Sequence, residues 1–173
     1  TFTVTVTDGN GCTDTDQITV TVNQLPVVDA GSDQSICIGQ SATIGGSPTG
    51  PTGALFAWDN SGSLDNAALA NPTASPTTTT TYTVTVTDGN GCTDTDQVTI
   101  TVNPLPNVDA GADQTICNGQ SVVIGGSPTS TTGGALFAWD NAGSLDNAAL
   151  ANPTASPTTT TTYTVTVTDG NGC

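Results

Sequence analysis

Five cysteines, fifteen aspartates and long threonine runs are the residues of this chain that could do chemistry. The cysteines occur in two settings. Cys37 and Cys117 precede Gly-Gln-Ser, in CIGQS and CNGQS. Cys12, Cys92 and Cys173 each close the run TVTVTDGNGC. Five cysteines in so short a chain suit an oxidising, extracellular setting, where thiols pair as disulfides. The spacing Cys37 to Gln40, and Cys117 to Gln120, is also that of an internal thioester. The simpler reading of Gly-Gln-Ser is a tight turn. The aspartates gather near the hairpins: Asp88, Asn90, Asp94 and Asp96, with Asp109 and Asp113 in DAGADQ. Hard oxygen donors of this kind suit calcium. An EF-hand pattern fails, because position 12 counted from Asp88 is Thr99 rather than Glu. Aspartate in Asp-Gly and Asp-Asn pairs is also the ordinary residue of a turn. The tracts Thr77–Thr81 and Thr158–Thr162 offer hydroxyls to O-glycans, or simply lead from a proline into a strand. Asn71 and Asn152 are followed by Pro, so neither is an N-glycosylation acceptor.

What is missing excludes more than what is present suggests. The chain has no Lys, Arg or His, and its formal net charge is −15. Without cations it has no footprint for nucleic acid and no attraction to anionic membrane. It has no imidazole for a triad or a zinc site, and no amine for a Schiff base. A hydrolase using two carboxylates is the one formal survivor, and repeats this small rarely form the cleft it needs. The chain is therefore read as no enzyme. No apolar run is long enough to span a bilayer, so no membrane insertion is expected.

Self-similarity organises the rest. Cys12, Cys92 and Cys173 recur at intervals of 80 and 81 residues, as do Cys37 and Cys117 at 80. The extra residue lies between SPTGPTGALFAW and SPTSTTGGALFAW. Residue 1 falls inside a strand pattern, which reads as an internal piece of a longer chain. The expected division is a fragment over 1–23, a complete repeat over 24–103, and a repeat over 104–173 lacking its last strand.

About 80 residues of short strands is the size of a small β-sandwich. Thr81–Thr87 alternates strictly, with Tyr82, Val84 and Val86 on one face and Thr on the other. Asp88–Gly91 supplies the positive φ angles of a hairpin turn. A return strand then places Val98, Ile100 and Val102 inward. Val27–Ala30 with Gln34–Cys37 is expected as a broken first strand. Ser41–Ile44 follows as the second and Ala54–Trp58 as the third, with Phe56 and Trp58 on one face. One short turn is expected within Ser63–Leu69. Trp58 suits the buried tryptophan of a sandwich, and Tyr82 a tyrosine corner.

The runs NPTASPTTTTTYTVTVTDGNGC and VDAGADQTICNGQS, with WDN between them, resemble the PKD-like and Ig-like repeats of Bacteroidota surface proteins. Such repeats occur in gliding-type adhesins and other type IX secretion cargo. The resemblance covers essentially the whole chain. It implies an all-β fold of tandem Ig-like sandwiches, about seven strands each, in a linear array, and an extracellular, cell-surface location. In that fold the turn after the first strand lies at the exit end of a domain and the last hairpin at the entry end. Those ends are about 20–30 Å apart at roughly 3.4 Å per residue, whereas disulfide Cα atoms lie within about 7 Å. An interdomain bridge Cys37–Cys173 is therefore proposed, with Cys12, Cys92 and Cys117 pairing in neighbouring repeats or chains. An intradomain Cys37–Cys92 bridge stays open as the alternative. The same frame brings Asp29 toward Asp88 and Asn90, and Asp109 toward Asp169 and Asn171, as calcium candidates. No cofactor is required; calcium is the one considered.

The function expected is mechanical: a structural repeat of an extracellular filament or adhesin stalk. Its partners are neighbouring repeats or copies of itself, with any surface or glycan ligand elsewhere in a full-length chain. The first alternative is a carbohydrate- or calcium-dependent surface-binding module. Sugar binding needs exposed aromatics, and most of the seven here read as core. The second is a donor-strand-exchanged filament subunit, with Asp16–Val22 as the donor.

Overall fold

The computed structural model describes residues 1–127 and 129–173. Within 24–103 it contains β3 (Gln34–Cys37), β4 (Ala42–Thr43), β5 (Leu55–Trp58), β6 (Thr73–Ala74), β7 (Thr80–Thr87) and β8 (Thr93–Asn103). One sheet runs β3-β8-β7-β5 and a second pairs β4 with β6. β3 lies parallel to β8; the other pairs are antiparallel. This is an all-β, Ig-like sandwich.

Alternation explains the layers. Tyr82, Val84 and Val86 on β7 and Ile100 on β8 are 0 % exposed, whereas the intervening threonines face outward. Val98 completes that face. Trp58 on β5 and Ile36 on β3 extend that face within the same sheet, and Ile44 and Ala74 from the β4–β6 side close the core. Burying each such aliphatic contributes about 1.5–3 kcal/mol. Thr81 and Thr99, a directly opposed pair on the wet face, share a hydroxyl contact of 3.0 Å. Trp58 donates Nε1–H to the Leu69 carbonyl at 3.0 Å, so its one polar atom is satisfied inside the core. Tyr82 Oη contacts Ser63 Oγ at 2.7 Å. A tyrosine corner would reach backbone; here the partner is a side chain in the 3-10 turn Ser61–Ser63.

Two expectations change. Val27–Ala30 is not a strand. Its backbone is held by separate contacts: Asp29 N–H to Thr49 O at 3.0 Å, and Ala30 N–H to Asp96 Oδ2 at 2.8 Å. Gly31, at φ +86°, then turns the chain before β3 begins. In the hairpin, Gly91 takes positive φ (+81°) while Gly89 does not. Asp88 N–H bonds Cys92 O at 3.0 Å, which makes a three-residue loop with a left-handed third residue.

Residues 104–173 repeat part of this plan. They contain β9 (Val122–Val123), β10 (Leu136–Trp139), β11 (Thr154–Ala155) and β12 (Val165–Thr168). β10 pairs with β12, and β11 with β9. Trp139 opposes Val165 as Trp58 opposes Val84. Among the described residues no strand corresponds to β3 or β8, and Gln114–Cys117 is accordingly irregular: its counterpart β3 exists by pairing with β8. Residues 1–23 form a hairpin of β1 (Phe2–Thr7) and β2 (Thr13–Ile18), exposed along its whole length.

Candidate functional site

The chemistry of the chain concentrates where Cys37 meets Cys173. Cys37 ends β3, whose pairing with β8 sets its place. The next turn is closed from both sides: Gln40 N–H bonds Cys37 O at 2.9 Å, and Cys37 N–H bonds Gln40 Oε1 at 3.1 Å. The amide that a thioester would consume therefore serves as a backbone clamp, and the Cys37 sulfur is bonded elsewhere. Its partner is Cys173, with Cα atoms 5.5 Å apart across a sequence separation of 136. Cys92, the intradomain alternative, is half-buried and unpaired; Cys12 and Cys117 are exposed and unpaired.

Cys173 is positioned by Asp169. The Cys173 N–H bonds Asp169 Oδ1 at 2.8 Å, and the Asp169 N–H returns to Cys173 O at 2.7 Å. Asp88 clamps Cys92, and Asp8 clamps Cys12, each at 2.9 Å. Backbone N–H groups aimed at a carboxylate favour its charged form. The Cys173 amide thus holds Asp169 below its usual carboxylate range, and the Cys92 amide does so for Asp88. Sequence reasoning weighed these aspartates as calcium candidates against ordinary turn residues and did not name the clamp. The signal was available: in all three hairpins an Asp stands four residues before the Cys, in DGNGC.

The calcium candidates are placed as follows. Asp29, Asp88 and Asn90 line one cavity of about 670 Å³ beside Leu25 and Pro48. Asp29 Oδ1 accepts the Gly31 N–H at 2.8 Å, and Asp109 Oδ1 accepts the Gly111 N–H at the same distance. Asn90 and Asn171 each donate their own backbone N–H to the preceding clamp aspartate at 2.9 Å. Among the described residues, no group of three or more His, Cys, Asp or Glu side chains is arranged to hold a metal ion. As they stand, these side chains shape loops through backbone contacts.

The two tryptophans offer no sugar platform, whereas Phe2 on β1 is exposed. Trp58 and Trp139 are each 5 % exposed, and both indole N–H groups are engaged with backbone carbonyls. No helix among the described residues is long and apolar enough to cross a membrane.

The sheets define an Ig-like β-sandwich protein with a long-range disulfide. No family model matches the chain, and no curated protein matches it. Among solved structures, the N-terminal eight Ig domains of Down Syndrome Cell Adhesion Molecule are similar at a TM-score of 0.50 and 11 % identity, over 96 % of this chain and 34 % of that one. Sidekick-1 immunoglobulin domains 1-4 align at a TM-score of 0.41 and 13 % identity, over 97 % and 54 %. The PKD domain from KIAA 1837 protein aligns at 0.39 and 20 %, over 56 % and 99 %. The chain thus spans about a third of the first of these and about half of the second.

Proposed function

We propose that this chain is a non-enzymatic structural repeat segment of an extracellular filament or adhesin stalk, built from units at 1–23, 24–103 and 104–173 in linear order. The observation that carries the reading is the Cys37–Cys173 bond, which ties the turn after β3 in one repeat to the hairpin cysteine of the next. A disulfide of that reach belongs in an oxidising compartment. It also makes the junction, rather than either core, the place where pulling force is borne. Small sandwiches have modest cores, and stacking with crosslinks compensates. The charge of −15 keeps such rods apart, and the absence of Lys and Arg denies trypsin-like proteases a cleavage site.

The fold likeness to an Ig array named as a cell adhesion molecule supports a cell-surface setting. The resemblance to Bacteroidota surface repeats supports secretion as type IX cargo. The test is thiol trapping on intact cells, followed by digestion at aspartate, together with immunogold microscopy. A Cys37–Cys173 peptide from surface-labelled filaments is expected. Reduced Cys37 in protein confined to the cell interior would overturn the reading.

A further inference from the structure

Four Asn-Gly pairs occur in the chain, at Asn10, Asn90, Asn118 and Asn171. In such a pair the asparagine side chain is open to attack by the next backbone nitrogen, because glycine has no Cβ to crowd the approach. The product is a cyclic succinimide. Its formation needs a free glycine N–H and a side-chain amide able to turn toward it. The fold supplies these to the four pairs unequally.

Three of the pairs lie in the DGNGC hairpins, where the attacking nitrogen is already engaged. Gly91 N–H donates to the Asp88 carbonyl at 3.1 Å, as Gly11 does to Asp8 and Gly172 to Asp169. Asn90 is held as well. Its backbone N–H bonds Asp88 Oδ1 at 2.9 Å, and its Nδ2 reaches Asp88 Oδ2 at 3.4 Å. Asn171 makes the same two contacts with Asp169. The hairpin aspartates also precede glycine, but an aspartate cyclises as the neutral acid, and the Cys92 and Asn90 amides favour the charged form of Asp88. One clamp therefore shields both the Asp-Gly and the Asn-Gly pair of its hairpin.

The fourth pair has no such protection. Cys117–Gln120 is a turn closed by Gln120 N–H to Cys117 O at 3.0 Å, with Gly119 in third place at φ +83°. That is the pattern of a type II turn. Among the described residues, neither the Gly119 N–H nor the Asn118 side chain has a hydrogen-bond partner. Both residues are exposed, and a Cβ built on Gly119 would meet nothing within 4 Å. The openness belongs to the turn itself. In residues 24–103, where β8 lies beside β3, the matching Ile38 and Gly39 are exposed too. Gly39 stands at φ +89°, and its N–H is likewise unpartnered among the described residues. That turn carries isoleucine where Asn118 stands, so it has no side-chain amide to react.

We propose that Asn118 is a self-modification site, passing through a succinimide to isoaspartate and aspartate while the hairpin asparagines of the same chain are protected. The Gly119 nitrogen bonds to Asn118 Cγ and gives up its proton. The Cγ–Nδ2 bond breaks, and Nδ2 takes that proton and leaves as ammonia. Water then adds to one of the two ring carbonyls and opens the ring. Opening at the backbone carbonyl gives isoaspartate, whose main chain runs through Cβ and Cγ. The turn between Cys117 and Gln120 is thereby lengthened by one backbone atom and gains a carboxylate. The bond from Gln120 N–H to Cys117 O, which closes the turn at 3.0 Å, no longer fits that longer ring. The turn of Cys117 changes with age in a way that the turn of Cys37 cannot.

The experiment incubates the purified chain of 173 residues in mildly alkaline buffer, with and without urea. Isoaspartate is counted by labelling with an isoaspartyl methyltransferase, and each site is located by mass spectrometry of peptides cleaved at aspartate. In the folded chain Asn118 should react roughly tenfold or more faster than Asn90, a ratio equal to about 1.4 kcal/mol of barrier. In urea the two rates should converge, because the clamp is gone. Asn118→Ile, which copies the residue of the first repeat, should remove the label from the folded chain and keep the label at Asn90 in urea. Equal rates at Asn90 and Asn118 in the folded chain, a rate ratio that survives in urea, or an Asn118 that reacts only in urea would overturn the proposal.

Discussion

Reducing the Cys37–Cys173 bond should let the chain lengthen under load by several hundred ångströms more than the oxidised chain can. The bonded residues are 136 positions apart and their Cα atoms 5.5 Å apart. An extended chain spans about 3.3–3.6 Å per residue, so the locked segment measures roughly 450–490 Å once free. Pulled from Thr1 and Cys173, the oxidised chain can yield only the stretch before Cys37, roughly 120–130 Å. In the loop-entropy description, a closure of this size also removes about 5 kcal/mol of freedom from the unfolded chain. For a protein of this length that corresponds to a melting temperature lower by roughly 10–20 °C after reduction. Optical-tweezer extension of single molecules, before and after adding reductant, reads the first quantity; calorimetry reads the second. Identical contour lengths in both states would refute the argument. A released length of only roughly 180–200 Å would point instead to a Cys37–Cys92 bridge.

Four further outcomes are expected. Gly45→Ala should cost about 2 kcal/mol or more in a denaturant titration, because Gly45 has φ +101° and a Cβ there would stand 2.5 Å from the Ala70 carbonyl oxygen; Gly91→Ala, strained in φ but facing open space, should cost less. Asp65 accepts the Thr73 N–H at 2.9 Å, and chiefly for that reason its carboxyl is held below the usual aspartate range. A lowered folded pKa gives stability that is present above the unfolded value and lost as pH falls through the folded one. The melting-temperature deficit of Asp65→Ala should therefore be larger at pH 7 than below pH 3, and a deficit independent of pH would remove that role. Tyr82→Phe should cost about 1 kcal/mol through loss of the Ser63 contact; an unchanged urea midpoint would show the hydroxyl to be idle. Calcium or EDTA should leave the melting temperature unchanged, since Asp88 already spends Oδ1 on two backbone amides; a rise with calcium would reinstate Asp29, Asp88 and Asn90 as ligands.

The strands that were easiest to read are those with one wet face. Tyr82, Val84 and Val86 alternate with threonine, and period-two alternation has few competing explanations, so β7 was legible almost to the residue and β8 as a return strand with Val98, Ile100 and Val102 inward. Phe56 and Trp58 were placed on one face for the same reason. Val27–Ala30 misled because its residues have strand propensity while the partners that would complete a ladder are absent. What holds that segment is a carboxylate 66 positions away, and no local pattern encodes such a contact. The hairpin was legible as a turn, but which glycine takes positive φ depends on the Asp88 clamp, a geometric closure rather than a composition.

The aspartates show the limit most clearly. Their residue type and clustering suit both calcium and turn capping, because the same oxygen lone pairs serve either. Only the three-dimensional path of the backbone decides where those lone pairs point, and here Asp88 and Asp169 point at the amides of the cysteines that follow them. By itself the sequence determined the period of the repeat, the class of fold, the buried aromatics and the exclusion of cation-dependent chemistry, all of which follow from composition and local alternation. The tertiary structure alone decided which sulfur meets Cys37 and which carboxylate holds the amide of Ala30. These partners stand 136 and 66 positions apart, and proximity of that kind is created by folding rather than by spacing along the chain.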